Sequence, residues 1–138
     1  MPAKDIYHDT AKNALIKDGW VITNDPLTLQ WGKKDLFVDL GAEKLLAAEK
    51  QGQKIAVEIK SFVGLSEVAN LEKALGQYTL YYDILQRLEP ERKLYLAIRK
   101  ETFSDIFEEP IGSILLENKR LRLIVFDSIE EVILQWIP

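Results

Sequence analysis

The chain has 138 residues, of which 47% are hydrophobic and 29% are charged, and it contains no cysteine. This length and composition predict a single domain over residues 1–138 and exclude disulfides, thiolate nucleophiles and cysteine-containing zinc sites. The net charge of −4 argues against nucleic-acid binding through bulk electrostatic attraction alone.

The N-terminal part of the chain is predicted to form a helix. Residues 1–5 lack the apolar run of a secretory signal, and no later stretch approaches the roughly 18 apolar residues that span a bilayer. We therefore expect a cytoplasmic protein that does not cross a membrane. The helix is predicted over residues 5–17, with Asp5 as its cap and Gly19 as its stop.

Strands follow this helix, and alternating apolar and polar side chains mark several of them. A turn at Asp25-Pro26 separates the first two, and Gly52 lies in the turn between the last two. We predict an antiparallel meander over residues 20–23, 27–31, 36–38, 45–48 and 54–60.

The second arm of the hairpin about Gly52 carries the most informative pattern. Its apolar residues at 55, 57 and 59 point to one side, which is predicted to be core. Glu58 and Lys60 share the opposite face. A carboxylate and an ammonium two residues apart are common on solvated strands, so this pair is informative only together with its surroundings.

Acidic residues upstream of the pair provide those surroundings, namely Asp39, Glu43 and Glu49. Mg²⁺ or Mn²⁺ is typically held by one or two carboxylates, with water and substrate phosphate oxygens completing the shell. A lysine beside the metal can position the attacking water and offset charge on the phosphate. The sequence therefore predicts a divalent-metal site around Glu58.

The identity of the first acidic ligand stays open between two residues. Counting back from a turn at Gly52 places Lys60 across from Glu43, which favours Glu43. Asp39 would need a bulge or bend at Gly41 to reach the site. Glu49 lies near the turn and is interpreted as a solvated hairpin residue.

A long helix is predicted over residues 66–88, with Ser66 as its N-cap. Strands are predicted over residues 94–98 and 121–126, short helices within 103–116, and a strand or helical turn over 132–136. This order indicates a mixed α/β fold with a sheet covered by helices. The apolar stripe of the long helix comprises Leu71, Ala74, Leu75, Tyr78, Tyr82 and Leu85.

The pattern Asp39…Glu58-Ile59-Lys60, between an N-terminal helix and a long helix, resembles the PD-(D/E)XK nuclease superfamily. Val38 stands where that motif usually has proline. A closer resemblance, over nearly the whole chain, is to the XisH family, named for control of fdxN element excision in cyanobacteria. It is carried by residues 6–9, 14–20, 38–43, 47–50, 54–62, 74–78 and 94–97.

The resemblance implies a restriction-endonuclease-like mixed central sheet flanked by helices, DNA as a ligand, and a XisI-like companion protein as partner. It also implies Asp39 or Glu43 as the first acid, Glu58 as the second and Lys60 as the catalytic lysine. Gln77, with Tyr81 four residues later, matches a pair that related nucleases place near the site.

Other polar residues have less specific interpretations. His8 is the only histidine, and with Asp9 it lies in the first helix, where such folds sometimes contribute an extra metal-site acid. Basic residues gather at 33–34, 92–93, 99–100 and 119–122. If the pairs at 33–34 and 99–100 border one cleft, they could bind phosphates.

These observations support two hypotheses about function. The first is a Mg²⁺-dependent DNA endonuclease-like protein that acts in DNA excision. The second is a non-cleaving regulatory module that works through a protein partner, which the acidic net charge favours. A third interpretation is a homodimer with an interface formed by residues 132–137.

Overall fold

The computed structural model describes residues 4–44, 52–64 and 66–138. The predicted strand at 45–48 and Glu49 lie outside these described residues. The elements are α1 (His8–Lys17), β1 (Val21–Asn24), β2 (Leu27–Trp31), β3 (Lys34–Val38), β4 (Leu40–Lys44), β5 (Gln53–Ile59), α2 (Glu67–Leu88), β6 (Lys93–Arg99), α3 (Lys100–Thr102), a π-helical turn (Phe103–Phe107), α4 (Pro110–Glu117), β7 (Leu123–Asp127) and β8 (Val132–Ile137).

A six-stranded mixed sheet in the order β1-β4-β5-β6-β7-β8 forms the centre of the fold. The three central strands β5, β6 and β7 run parallel, and the remaining neighbours pair antiparallel. Helix α2 makes the crossover from β5 to β6, the usual connection between parallel strands. The predicted α/β fold with a restriction-endonuclease-like sheet flanked by helices is confirmed.

Strand β5 is buried on both of its faces, whereas the sequence indicated one core face and one polar face. Ile55, Val57 and Ile59 pack with α1 in one apolar cluster. Ala56 packs with α2 in a second cluster on the other side of the sheet. Glu58 therefore projects into a face that is otherwise covered by a helix, and its side chain is only 6% exposed.

The predicted meander is wrong in its pairing. Among the described residues, strands β2 and β3 pair only with each other and form a separate two-stranded sheet. Strand β1 pairs with β4 instead. Leu27, Leu29 and Val38 of this small sheet pack into the apolar cluster beneath α2. The physical reason is that their apolar side chains are buried by packing against a helix rather than by extending the main sheet.

The predicted N-terminal cap is confirmed for α2 and is wrong for α1. Ser66 caps α2 as predicted, because its hydroxyl oxygen accepts the backbone N–H of Ala69. Asp5 is not the cap of α1, which begins at His8. The Asp5 carboxylate instead accepts the backbone N–H groups of Tyr7 and Ser61, so it ties the start of the chain to the end of β5.

Arg92 belongs to the interior of the protein and not to a phosphate-binding surface. It is 5% exposed, donates to the carbonyl oxygen of Ile55 and pairs with the Glu89 carboxylate. The adjacent Lys93 is exposed. The basic pair at 92–93 thus divides into a structural arginine and a surface lysine.

The final segment forms β8, which settles the choice between a strand and a helical turn in favour of the strand. It lies at one edge of the main sheet, and Leu134 on it is 53% exposed. A homodimer formed through this edge stays a prediction.

Among the described residues, no helix is long and apolar enough to cross a bilayer.

Alanine substitutions at two helical glycines should change the stability of the protein in opposite directions. A methyl group added at Gly112 in α4 would collide with the carbonyl oxygen of Ile106, whereas one added at Gly76 in α2 would meet open space. We expect Gly112→Ala to lower the free energy of unfolding by about 1–3 kcal/mol. Gly76→Ala should raise it by about 0.5–1 kcal/mol, because alanine is the better helix former.

Urea unfolding of both variants measures these changes. The two substitutions are chemically identical, so any general effect of adding a methyl group cancels in the comparison. Stabilisation by Gly112→Ala would contradict the close packing of α4 on the π-helical turn.

Candidate active site

A cavity of about 340 Å³ opens at the carboxyl end of β5 and contains the predicted chemistry. Glu58 and Lys60 enter it from β5, and Asp39 enters from the bend between β3 and β4. Gln77 and Tyr81 reach it from one flank of α2. The structure thus brings together four residues that the sequence singled out for catalysis, Asp39, Glu58, Lys60 and Gln77.

The β4–β5 pairing places Asp39 beside Glu58. Leu40 pairs with Val57, so Asp39, one residue earlier, lies across from Glu58. The Ile59 backbone N–H donates to Asp39 Oδ2 at 2.7 Å, and the Asp39 N–H donates to Glu58 Oε1 at 3.3 Å. The pairing is regular through Gly41, and the bend lies at Asp39 itself rather than at the glycine.

Glu43 lies elsewhere, so the predicted hairpin register is wrong. It pairs with Lys54 in the strand register, and its Oε1 lies 3.9 Å from the Lys54 ammonium. The hairpin is not centred on Gly52, because the register pairs Lys44 with Gln53. Geometry therefore favours Asp39 over Glu43 as the acid that accompanies Glu58.

Glu58 is strongly perturbed. Burial in the helix-covered face, and to a lesser extent the neighbouring Asp39 carboxylate, together raise the pKa of its carboxyl from 4.5 to about 9. The Lys60 ammonium, 4.0 Å from Glu58 Oε2, acts in the opposite direction. In the absence of a cation, the site therefore retains a proton on Glu58 at neutral pH.

The α2 side of the cavity supplies two further polar groups. The Gln77 amide oxygen is buried and has no hydrogen-bond partner among the described residues. Burial, together with the negative charge of Glu58 and Asp39, raises the pKa of the Tyr81 phenol to about 12. Tyr81 is thus a neutral hydroxyl at physiological pH.

A chain of polar side chains leads from Asp39 through the buried His8 towards the surface. His8 is 3% exposed, and its Nδ1 lies 3.9 Å from Asp39 Oδ1. Its Nε2 lies 2.8 Å from Asp25 Oδ1, and the other Asp25 oxygen accepts from the Lys12 ammonium at 2.8 Å. His8 thus lies beside Asp39, but its buried Nδ1 has no hydrogen-bond partner among the described residues. Asp9 is exposed and does not line the cavity.

The basic residues predicted at the cleft are not brought to this cavity. Lys33 and Lys34 are exposed near the β2–β3 turn and do not line it. Arg99 instead donates to the Ser61 carbonyl and stacks on the Tyr7 ring, with 4.6 Å from guanidinium carbon to ring centroid. Lys100 pairs with Asp127 at 2.9 Å. These contacts assign Arg99 and Lys100 structural roles.

Sequence reasoning missed two acidic residues of the cavity wall, Asp5 and Asp35. The sequence indicates a helix cap at Asp5, whereas its hydrogen bond from the Ser61 N–H joins segments that are far apart in the chain. Asp35 lies on β3, in the small sheet whose position the meander prediction did not anticipate. Neither residue stands in a local motif that could have indicated its place.

The donor set at Asp39 and Glu58 fits a hard divalent cation. Among the described residues, no group of three His, Asp or Glu side chains forms a complete metal cage. Mg²⁺, however, is usually bound by only one or two carboxylates, with water and substrate oxygens as further ligands. The unpartnered Gln77 oxygen and the proton held by Glu58 are both consistent with a position in the cavity that can accept a cation.

The sheet order, the helical crossover and the acidic strand end together define a restriction-endonuclease-like α/β protein. The sequence matches the XisH protein family over residues 1–134, and the chain belongs to that family. A comparison with curated proteins gives no match.

Two solved structures share this fold across nearly the whole chain. One is an XisH family protein from Nostoc punctiforme, with 39% identity, a TM-score of 0.86, and coverage of 97% of this chain and 100% of that one. The other is an fdxN element excision controlling factor protein from Anabaena variabilis. Its identity is 40% and its TM-score is 0.86, with coverage of 98% of this chain and 100% of that one.

The raised pKa of Glu58 predicts a pH dependence of stability in the presence of a chelator. The native state holds a proton that the unfolded state releases, so stability conferred by this proton falls as pH rises from about 4.5 to about 9. The slope from this group is at most about 1.4 kcal/mol per pH unit. Glu58→Gln should remove this component and be more stable than the wild type near the upper end of the window.

Urea unfolding at several pH values within that window measures the difference between wild type and Glu58→Gln. Glu43→Gln serves as the control, because Glu43 is a half-exposed strand residue outside the cavity. A wild-type curve parallel to that of Glu58→Gln at every pH would refute the raised pKa.

Proposed function

We propose that this protein is a Mg²⁺-dependent DNA endonuclease of the PD-(D/E)XK type that acts in the excision of DNA elements. The observation that carries the proposal is the convergence of Asp39, Glu58 and Lys60 in one cavity at the end of β5. The Anabaena variabilis neighbour, a controlling factor of fdxN element excision, supports the biological setting.

Each residue has a distinct task in the proposed reaction. Asp39 and Glu58 would hold the cation, which, when bound, lowers the pKa of water and offsets charge on the phosphate. The Lys60 ammonium, held 4.0 Å from Glu58, orients the attacking water and stabilises negative charge on the phosphate oxygens. Gln77 offers its free amide oxygen to the same water.

The charge balance of the cavity supports this assignment. Two adjacent carboxylates in a mostly buried face repel one another, and a single lysine at 4.0 Å only partly offsets them. A divalent cation would displace the proton on Glu58 and pair with both carboxylates. Cation affinity should therefore increase with pH across the range in which Glu58 loses its proton.

Substitutions at β5 test catalysis directly. Glu58→Ala and Lys60→Ala should each lower the rate of Mg²⁺- or Mn²⁺-dependent nicking of supercoiled DNA by about 100-fold or more. Thermal unfolding of each variant establishes that it is folded. Nicking by both variants at the wild-type rate would show that any cleavage comes from another source.

A second pair of variants identifies the first acid. Asp39→Asn should abolish metal-dependent nicking and weaken Mn²⁺ binding, because it removes one of the two carboxylates in the cavity. Glu43→Gln removes one negative charge from the neighbouring strand and should leave both properties unchanged. Calorimetric titration with Mn²⁺ gives a readout separate from activity, and the reverse result would restore the assignment to Glu43.

A second candidate function is a non-cleaving regulatory module that acts through a XisI-like companion protein in DNA element excision. The net charge of −4 favours it, because bulk attraction of DNA to the protein would be weak. Co-purification of the two proteins, with no metal-dependent nicking by the complex or by this chain alone, would support this role over the enzymatic one.

A further inference from the structure

A second cavity, of about 550 Å³, lies on the other flank of α2. Gln77 and Tyr81 face the active-site cavity, whereas Tyr78 and Tyr82, each one residue further along, line the second one. Successive helical residues are rotated by about 100°, so the two cavities occupy neighbouring flanks of one helix. Nothing in the proposed reaction uses the second cavity.

Positive charge is concentrated around this second cavity. Its basic side chains come from the start of β6 and from the segment that leads into β7. Among the described residues, none of them forms a salt bridge, whereas seven other lysines and arginines do. One acidic side chain, Asp83, also lines the cavity. The basic residues are Lys93, Lys119, Arg120 and Arg122.

The wall between these cations is rigid and aromatic. The Tyr78 hydroxyl donates to the Leu94 carbonyl oxygen at 2.9 Å and accepts the Arg122 backbone N–H at 3.1 Å. The Arg122 guanidinium lies over the Tyr82 ring, 5.9 Å from its centroid. Tyr82 in turn stacks on Tyr78, with an angle of 14° between the ring planes. The arginine is thus held at the cavity and not free in solvent.

We infer that this second cavity binds the phosphodiester backbone of DNA. Four converging cations without carboxylate partners repel one another, and an anionic ligand relieves that repulsion. Phosphate is the anion that suits a fixed guanidinium and exposed lysines, and the partly exposed Tyr82 ring can pack against a sugar or base. An acidic protein segment would carry charge of the same sign, and the experiment below separates it from DNA.

This inference rests on the proposed function in taking DNA as the ligand, but its test does not depend on cleavage. Binding of a short fluorescent DNA duplex is followed by anisotropy in a chelator, at several salt concentrations. Lys93→Gln/Arg120→Gln removes two cations of the second cavity. Lys33→Gln/Lys34→Gln removes two exposed cations that line neither cavity, so the two variants have the same net charge.

We expect Lys93→Gln/Arg120→Gln to weaken DNA binding by about tenfold or more at low salt. The slope of log affinity against log salt concentration should become shallower by about two, one unit for each lost phosphate contact. Lys33→Gln/Lys34→Gln should change the slope little. Should the first double variant unfold at a lower temperature than the wild type, Arg120→Gln alone should reduce the slope by about one.

Equal losses of DNA affinity in both double variants would overturn the inference, because any surface cation would then contribute equally to DNA binding. A polyglutamate peptide that binds as tightly as DNA, with the same loss in Lys93→Gln/Arg120→Gln, would assign the cavity to an acidic protein and also overturn it. DNA binding with the expected slope change but without nicking would support DNA binding at the second cavity. It would count only against the proposed nuclease activity.

Discussion

The hydrogen bond from the Ile59 backbone N–H to the Asp39 carboxylate, at 2.7 Å, is the contact on which the site depends. Asp39 occupies the bend where the chain leaves the small β2–β3 sheet and enters the main sheet through β4. Fixing this residue to the end of β5 therefore sets the position of the small sheet and the composition of the cavity. The same contact places a second carboxylate next to the buried Glu58.

This arrangement has an energetic cost that the rest of the fold offsets. The face of the sheet beneath α2 is otherwise apolar, and a buried carboxylate there is held largely in its protonated form, with a pKa of about 9. The buried His8 imidazole and the unpartnered Gln77 oxygen are further polar groups in the interior. Polar groups that reduce stability are typically retained where function requires them.

The sequence predicted well those features that depend on local patterns. The cap at Ser66, the apolar stripe of α2 and the alternation along β5 are all set by short-range spacing, and all are found in the structure. Burial of the second face of β5 was not predicted. It depends on where α2 packs after its crossover, which the residues of β5 do not encode.

The register between β4 and β5 shows why the candidate site could be only partly predicted. A glycine at 52 indicates a turn but does not fix the residue on which the hairpin is centred. Centring the turn on Gly52 shifted the pairing and brought Glu43 to the site, whereas the actual register pairs Glu43 with Lys54 and brings Asp39 to Glu58. The resemblance of the motif to a known superfamily favoured Asp39, because it does not depend on counting residues across the hairpin.

The acidic net charge of the chain is compatible with a DNA ligand once the location of the charges is considered. Several of the negative charges surround the cavity at the end of β5. Positive charges gather on the other flank of α2 without carboxylate partners among the described residues. Local potential at a cleft, and not the sum over the chain, determines where an anionic polymer binds. The choice between an enzyme and a regulatory module therefore turns on whether the carboxylates bind metal and cleave, because net charge does not discriminate between these functions.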